Sequence, residues 1–170
     1  MRKHPVRWIT RTGLLLAVAL AVQSLRIQPP FGQVITGGSI NAILFLAVIL
    51  VDTWAGVAIG LITPWVALMM NITGLPFMVP FIMAANAILA LSFGLLQRFS
   101  RFFAGVIAAV AKYGWFLLTV NVLLGLIGRT LPPAAVVTFG ITQLATALIG
   151  VMLAFIIADT ITPYLDRRQG

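Results

Sequence analysis

The length of its apolar runs constrains this chain more than any other feature. Residues 39–70, SINAILFLAVILVDTWAGVAIGLITPWVALMM, contain one ionisable side chain, Asp52. A helix crossing a hydrocarbon core of ~30 Å needs about 20 residues, so this run is too long for one span. The interruption VDTWAG at 51–56 divides it into a short span over 39–50 and a longer one over 54–70. The same pattern predicts spans over 13–27, 80–96, 102–127 and 134–160. They are separated by QPP (28–30), FGQVITGG (31–38), NITGLPFMVP (71–80), QRFSR (97–101) and GRTLPP (128–133). The expected fold is therefore an all-α integral membrane protein, a single membrane domain over 1–170 built as a compact bundle of six transmembrane helices. Charged residues make up 8% and hydrophobic ones 61%, whereas a soluble domain carries roughly 25% charged. The basic N-terminus followed by an apolar run resembles a signal peptide, but the run continues to a poor cleavage context at Gln23, Ser24 and Arg26. It is read as a retained first span.

The basic residues give the expected orientation. The N-terminal tail (Arg2, Lys3, Arg7, Arg11), the 97–101 loop (Arg98, Arg101) and the C-terminal tail (Arg167, Arg168) share one side of a six-span bundle. The positive-inside rule makes that side cytoplasmic, with both termini on it. A net charge of +8 gathered at span ends points to the lipid bilayer as partner, through its anionic headgroups, and away from nucleic acid.

Three cations remain. Arg26 and Arg129 fall at the outer ends of spans one and five, while Lys112 lies within span five in AVAKYGWFLLTVN. About ten residues at 1.5 Å each put Lys112 ~15 Å deep, near the midplane. A lysine at bilayer centre costs at least ~2.5–3.5 kcal/mol on insertion scales, and ionisable groups there mark binding or ion pathways by default. The three acids, Asp52, Asp159 and Asp166, all fall on or near the cytoplasmic side. The outer half therefore holds cations without a carboxylate, which favours an anionic ligand. Positions 112, 115, 116 and 119 form one stripe at helical spacing, so Lys112, Trp115 and Thr119 are expected on one substrate-binding face, with Asn121 pointing away. Asn71, Asn86, Gln143 and Thr146 are further polar candidates in the outer half. Gln33, Thr36 and Ser39, in or beside the first outer connection, are expected to form a lid, and Arg26 to meet the ligand or lipid phosphates. Trp54 and Trp65 suit interface anchoring.

Enzymatic chemistry is disfavoured, and no catalytic residue is assigned. With no cysteine, one histidine in the N-terminal tail and three acids on one side, neither a nucleophile–base pair nor paired carboxylates nor a metal site can be assembled. No cofactor is expected. A self-sufficient secondary transporter or channel would place acids within its spans, and an accessory subunit that only packs against partners would leave Lys112 unexplained; both remain as alternatives.

The layout of six short spans, both tails inside, and a polar first outer connection leading into GGSINAILFLAVILVDTWAGVAIGLITPW (37–65) resembles the substrate-binding S components of energy-coupling factor (ECF) transporters. Where that family often carries a Gly-Pro-x-x-Gly-like turn between spans two and three, this chain reads Asp52-Thr53-Trp54-Ala55-Gly56 and keeps only the last glycine. The family's Ala-x-x-x-Ala face on the first helix is matched by Ala17 and Ala21, extended by Gly13. Small residues at i, i+4 and i+8 allow close helix approach. The resemblance implies capture of a small vitamin-like molecule from outside a bacterial or archaeal cytoplasmic membrane. It also implies docking through Gly13, Ala17 and Ala21 to a transmembrane T component, with import driven by two ATPase subunits. The chain itself has no phosphate-binding loop of the Gly-x-x-x-x-Gly-Lys-Ser/Thr kind.

Overall fold

The computed structural model describes residues 5–27, 31–72 and 74–166, with side chains as far as Pro163. Arg2, Lys3, Arg167, Arg168 and the QPP segment, used above for orientation and for the first boundary, lie outside the described residues. Every regular element among the described residues is helical: α1 (Pro5–Ser24), α2 (Gly32–Leu50), α3 (Thr53–Met69), α4 (Val79–Leu96), α5 (Arg101–Leu118), α6 (Leu124–Leu126), α7 (Pro133–Phe139) and α8 (Ile141–Asp166). A 3₁₀ turn over Pro76–Met78 leads into α4. A π-helical turn over Thr119–Leu123 joins α5 to α6, so that Arg101–Leu126 runs as one rod. Five stretches are long and apolar enough to cross a bilayer: Pro5–Ser24, Gly32–Leu50, Pro76–Leu96, Arg101–Leu126 and Pro133–Pro163. At 17 residues, α3 is apolar but shorter. These helices are consistent with a multi-pass membrane protein.

Local chemistry explains the breaks. Asp52 is extended (φ −170°) and its carboxylate accepts from the Ala55 backbone N–H at 2.8 Å, capping α3 and splitting the 39–70 run at the expected place. Ser100 caps α5 through Phe103 N–H in the same way, at 3.5 Å. Pro133 sits in the first turn of α7, where its missing N–H costs nothing.

Three expected boundaries are corrected. The segment FGQVITGG is not a loop, because α2 begins at Gly32 and takes in Gln33, Thr36 and Ser39; these residues are therefore helical and form no lid. Gly37 and Gly38 serve packing instead. A Cβ at either would stand 3.3 Å from a side-chain carbon of Thr146 or Ile149 on α8, so bare backbone lets α2 lie close against it. The last expected span, 134–160, is broken at Gly140 into the short α7 and the long α8. The first helix also begins earlier and stops earlier than the expected 13–27.

Contacts between helix ends show the threading. Trp8 Nε1 on α1 donates to Asp52 at the α2–α3 turn (2.9 Å), and Arg101 at the start of α5 meets Asp159 on α8 (3.5 Å). These residues mark one end of the bundle. At the other end the Arg26 guanidinium donates to the Met70 carbonyl at the close of α3, and Arg129 lies over the Phe77 ring. The main core joins α2, α3, α4, α5 and α8 around Leu44, Phe45, Ile59, Leu89 and Phe93, with Phe45 set edge-on to Phe93 at 4.9 Å. A smaller core at the Arg26–Arg129 end gathers Met78, Ala85, Phe116, Leu124 and Phe139.

Close approach at Gly56 ties α2, α3 and α4 together. A Cβ there would stand 2.6 Å from Val48 Cγ2 and 3.2 Å from both the Ala90 Cβ and the Leu44 carbonyl oxygen. Gly56→Val should overpack this point and cost about 1–3 kcal/mol. The expected result is a lower midpoint of thermal unfolding in detergent, followed by circular dichroism. An unchanged midpoint would mean the three helices do not meet there.

Candidate functional site

Lys112 is buried on α5, 3% exposed, and among the described residues no acid lines the space beside it. Its ammonium donates to Asn41 Oδ1 on α2 (2.7 Å) and to Asn86 Oδ1 on α4 (2.8 Å). Both asparagines are buried, and each is held by its other amide atom. Asn41 Nδ2 donates to Thr146 Oγ1 on α8 at 3.3 Å, and Thr146 donates onward to the Gln143 carbonyl at 3.1 Å. Asn86 Nδ2 donates to the Gly60 carbonyl on α3 at 3.2 Å. That carbonyl is free because of sequence: the helical donor due to reach it would be residue 64, and Pro64 has no N–H.

Glycines make room for both amides. A Cβ on Gly150 would lie 2.6 Å from Asn41 Cβ, and one on Gly60 would lie 2.9 Å from Asn86 Cβ. Each asparagine thus packs against bare backbone on the neighbouring helix. The cluster draws α2, α3, α4, α5 and α8 to one point. Its acceptors are neutral, so they solvate the ammonium without cancelling its charge. Bonds to a charged group are worth about 1.5–3 kcal/mol each, enough in sum to offset much of the burial cost.

Above the lysine a cavity of about 460 Å³ extends toward the Arg26–Arg129 end. Lys112, Asn41 and Asn86 line its floor. Gln23 from α1, Gln33 and Thr36 from α2, Thr63 from α3, Thr138 from α7 and Gln143 from α8 add polar groups to its walls, and Ile40, Ile82 and Phe139 are among its apolar ones. The volume falls within the range typical of small-molecule sites, as does a largely apolar lining with a few convergent polar groups. Among the described residues, Lys112 is the one ionisable residue in the lining.

The expected residues divide. Lys112, Asn86, Gln143, Gln33 and Thr36 come together in this cavity, and Thr146 supports it through Asn41. Trp115 and Thr119 do not line it. Their stripe does turn inward, but above Lys112 it enters the smaller core: Trp115 Nε1 donates to the Phe81 carbonyl (2.9 Å), and Thr119, fully buried, donates to the Trp115 carbonyl (2.9 Å). The lysine reaches sideways to α2 and α4, not along its own stripe. Asn71 is exposed at the turn after α3 (φ +55°), Ser39 is half-buried, and Arg26 is exposed (φ +46°) with its guanidinium on Met70; none of the three lines the cavity. Asn121 is exposed and donates to the Leu117 carbonyl. Gly13, Ala17 and Ala21 form an outward-facing row on α1, whereas Ala19 is fully buried.

Asn41 is the residue of this cluster that the sequence pattern did not single out. A lone amide in INAILFLAVIL carries the same signal as Asn86 in MAANAI, a polar group within a span. A span starting at Ser39 puts Asn41 at its end, whereas α2, starting at Gly32, puts it mid-helix. Among the described residues no group of three or more His, Cys, Asp or Glu is placed to hold a metal ion. The arrangement can hold an anion; it presents no nucleophile–base pair. The chain matches no family model, no curated protein and no solved structure.

Asn86→Leu leaves the buried ammonium one acceptor short and should cost about 1–3 kcal/mol. Lys112→Met should cost less in the Asn86→Leu background than in the parent. The coupling is read from a double-mutant cycle of unfolding free energies in micelles. A coupling near zero would dissolve the cluster as an energetic unit.

Proposed function

We propose that this protein is the substrate-capture subunit, or S component, of an ECF-type importer in a bacterial or archaeal cytoplasmic membrane. It binds a small, vitamin-like, carboxylate-bearing molecule from outside and delivers it with a T component and two ATPase subunits. The observation that carries this reading is a buried lysine without a counter-carboxylate at the floor of a cavity sized for a small molecule.

The cavity leads away from the end that holds Arg7, Arg11, Arg98 and Arg101. With that end cytoplasmic by the positive-inside rule, α3 counted as a sixth span and both termini inside, the cavity faces the exterior. A capture subunit requires this polarity. Asp52 and Asp159 then lie at the cytoplasmic end, far from the cavity, which speaks against proton or sodium coupling through carboxylates in the spans. The outward row of Gly13, Ala17 and Ala21 leaves α1 a smooth flank on which a partner helix can lie closely. The missing phosphate-binding loop fits a subunit energised by others.

Affinity purification from native membranes should bring down a T component and two ATPases. A thermal-shift panel of vitamins should find a ligand that stabilises the parent protein and leaves Lys112→Met unmoved. Uptake by the chain alone in proteoliposomes, without ATPases, would refute the assignment, as would binding of the ligand undiminished in Lys112→Met.

A further inference from the structure

The cavity's hydrogen-bond inventory narrows the ligand class. An ammonium has three donors, and Lys112 spends two on Asn41 and Asn86. The third is left for a ligand on the cavity floor. Of the neutral donors on the floor, Asn41 and Asn86 each use one of their two amide N–H groups, and the Thr63 hydroxyl donates to the Ile59 carbonyl, so Lys112 brings the charged donor. A single N–H from a point-like cation suits one carboxylate oxygen, where a bidentate oxyanion would call for an arginine fork.

At the other end stands Gln23, one residue from the close of α1. Its Oε1 is buried and has no hydrogen-bond partner, yet the side chain lines the cavity. A buried polar atom left unpaired costs free energy that a suitable ligand group would recover. Among the described residues, no second cation lines the cavity to receive another negative charge, and no acid lines it to receive an ammonium. A dianion, such as a phosphate monoester with a charge of about −1.5 to −2, would carry uncompensated charge into an apolar space, and a zwitterion would do the same with its amine.

Resting on the reading of this cavity as the capture site, we infer that its ligand is a monocarboxylate of net charge −1 whose far end is uncharged and hydrogen-bonds Gln23. The carboxylate takes the free N–H of Lys112, and a neutral amide or hydroxyl donor meets Gln23 Oε1. The lysine sets the sign and number of charges, and the glutamine selects for polarity without charge.

The chain has two lysines, Lys3 and Lys112, so ¹⁵N-lysine labelling gives two side-chain resonances, and Lys112→Met identifies the buried one. The probes are N-acetylglycine, 4-acetamidobutyrate and 6-acetamidohexanoate, which scan the distance between the two groups. Titrated into the purified full chain in micelles, one length should shift the Lys112 resonance saturably at the lowest concentration. Converting the carboxylate of that probe to a primary amide, or its acetamido group to a second carboxylate, should weaken binding about tenfold or more. Gln23→Leu should weaken the acetamido probe several-fold while leaving the plain alkanoate of equal length unchanged. A Lys112 resonance that matches the parent's without probe shows that the variant is folded. A dicarboxylate that binds as well as the monocarboxylate overturns the inference and leaves the capture reading standing. So does a Gln23→Leu effect that is absent or equal on both probes. A Lys112 resonance that no probe moves overturns both.

Discussion

An ammonium between two amide oxygens is the interaction on which this structure depends. Lys112 could have been neutralised by an acid, and the chain supplies asparagines instead. An ion pair would have closed the charge account inside the protein. Carbonyl dipoles lower the energy of the cation while leaving its field directed into the cavity. The helices are then registered by what the amides need. Asn41 requires α8 near enough for Thr146 to accept and Gly150 to give way, and Asn86 requires α3 near enough for the Gly60 carbonyl. Within a bilayer, where helices gain no hydrophobic drive toward one another, packing rests on such close approach and interhelical bonds.

Proline takes part in this by subtraction. Within α3, Pro64 removes a backbone donor, which in an aqueous helix would be a loss of about 3 kcal/mol. Here the freed Gly60 carbonyl finds Asn86. The missing helical bond and the amide anchor are one event seen from two helices, and that is why a proline is tolerated inside this short helix.

Much of this was legible in the sequence. Apolar run lengths gave the helices from α3 to α5 nearly residue by residue, because Asp52 and Ser100 are strong N-caps at sharp changes of hydropathy. Lys112 and Asn86 stood out because polar groups within spans are costly and therefore informative. Other features were hidden for physical reasons. The glycines of FGQVITGG read as loop residues, since sequence alone does not distinguish a glycine that bends the chain from one that admits a neighbour. Helical periodicity grouped Lys112 with Trp115 and Thr119, as it must for short side chains, but a lysine's long stem carries its charge to a different helix. The partnership of Asn41 with Lys112 spans 71 positions and leaves no local trace.

The break at Gly140 divides the labour of the cavity walls. The charged group sits on the floor, which is locked into the bundle core. Much of the upper wall comes from α7, a seven-residue helix that supplies Ala134, Ala135, Thr138 and Phe139 and is joined to α8 through a single glycine. Substitutions in α7 can alter the shape of the chamber without touching any residue that holds the lysine. If the cavity is the capture site proposed above, a lineage carrying this architecture could change the molecule it accepts by redrawing one short segment, with the lysine and its amides left in place.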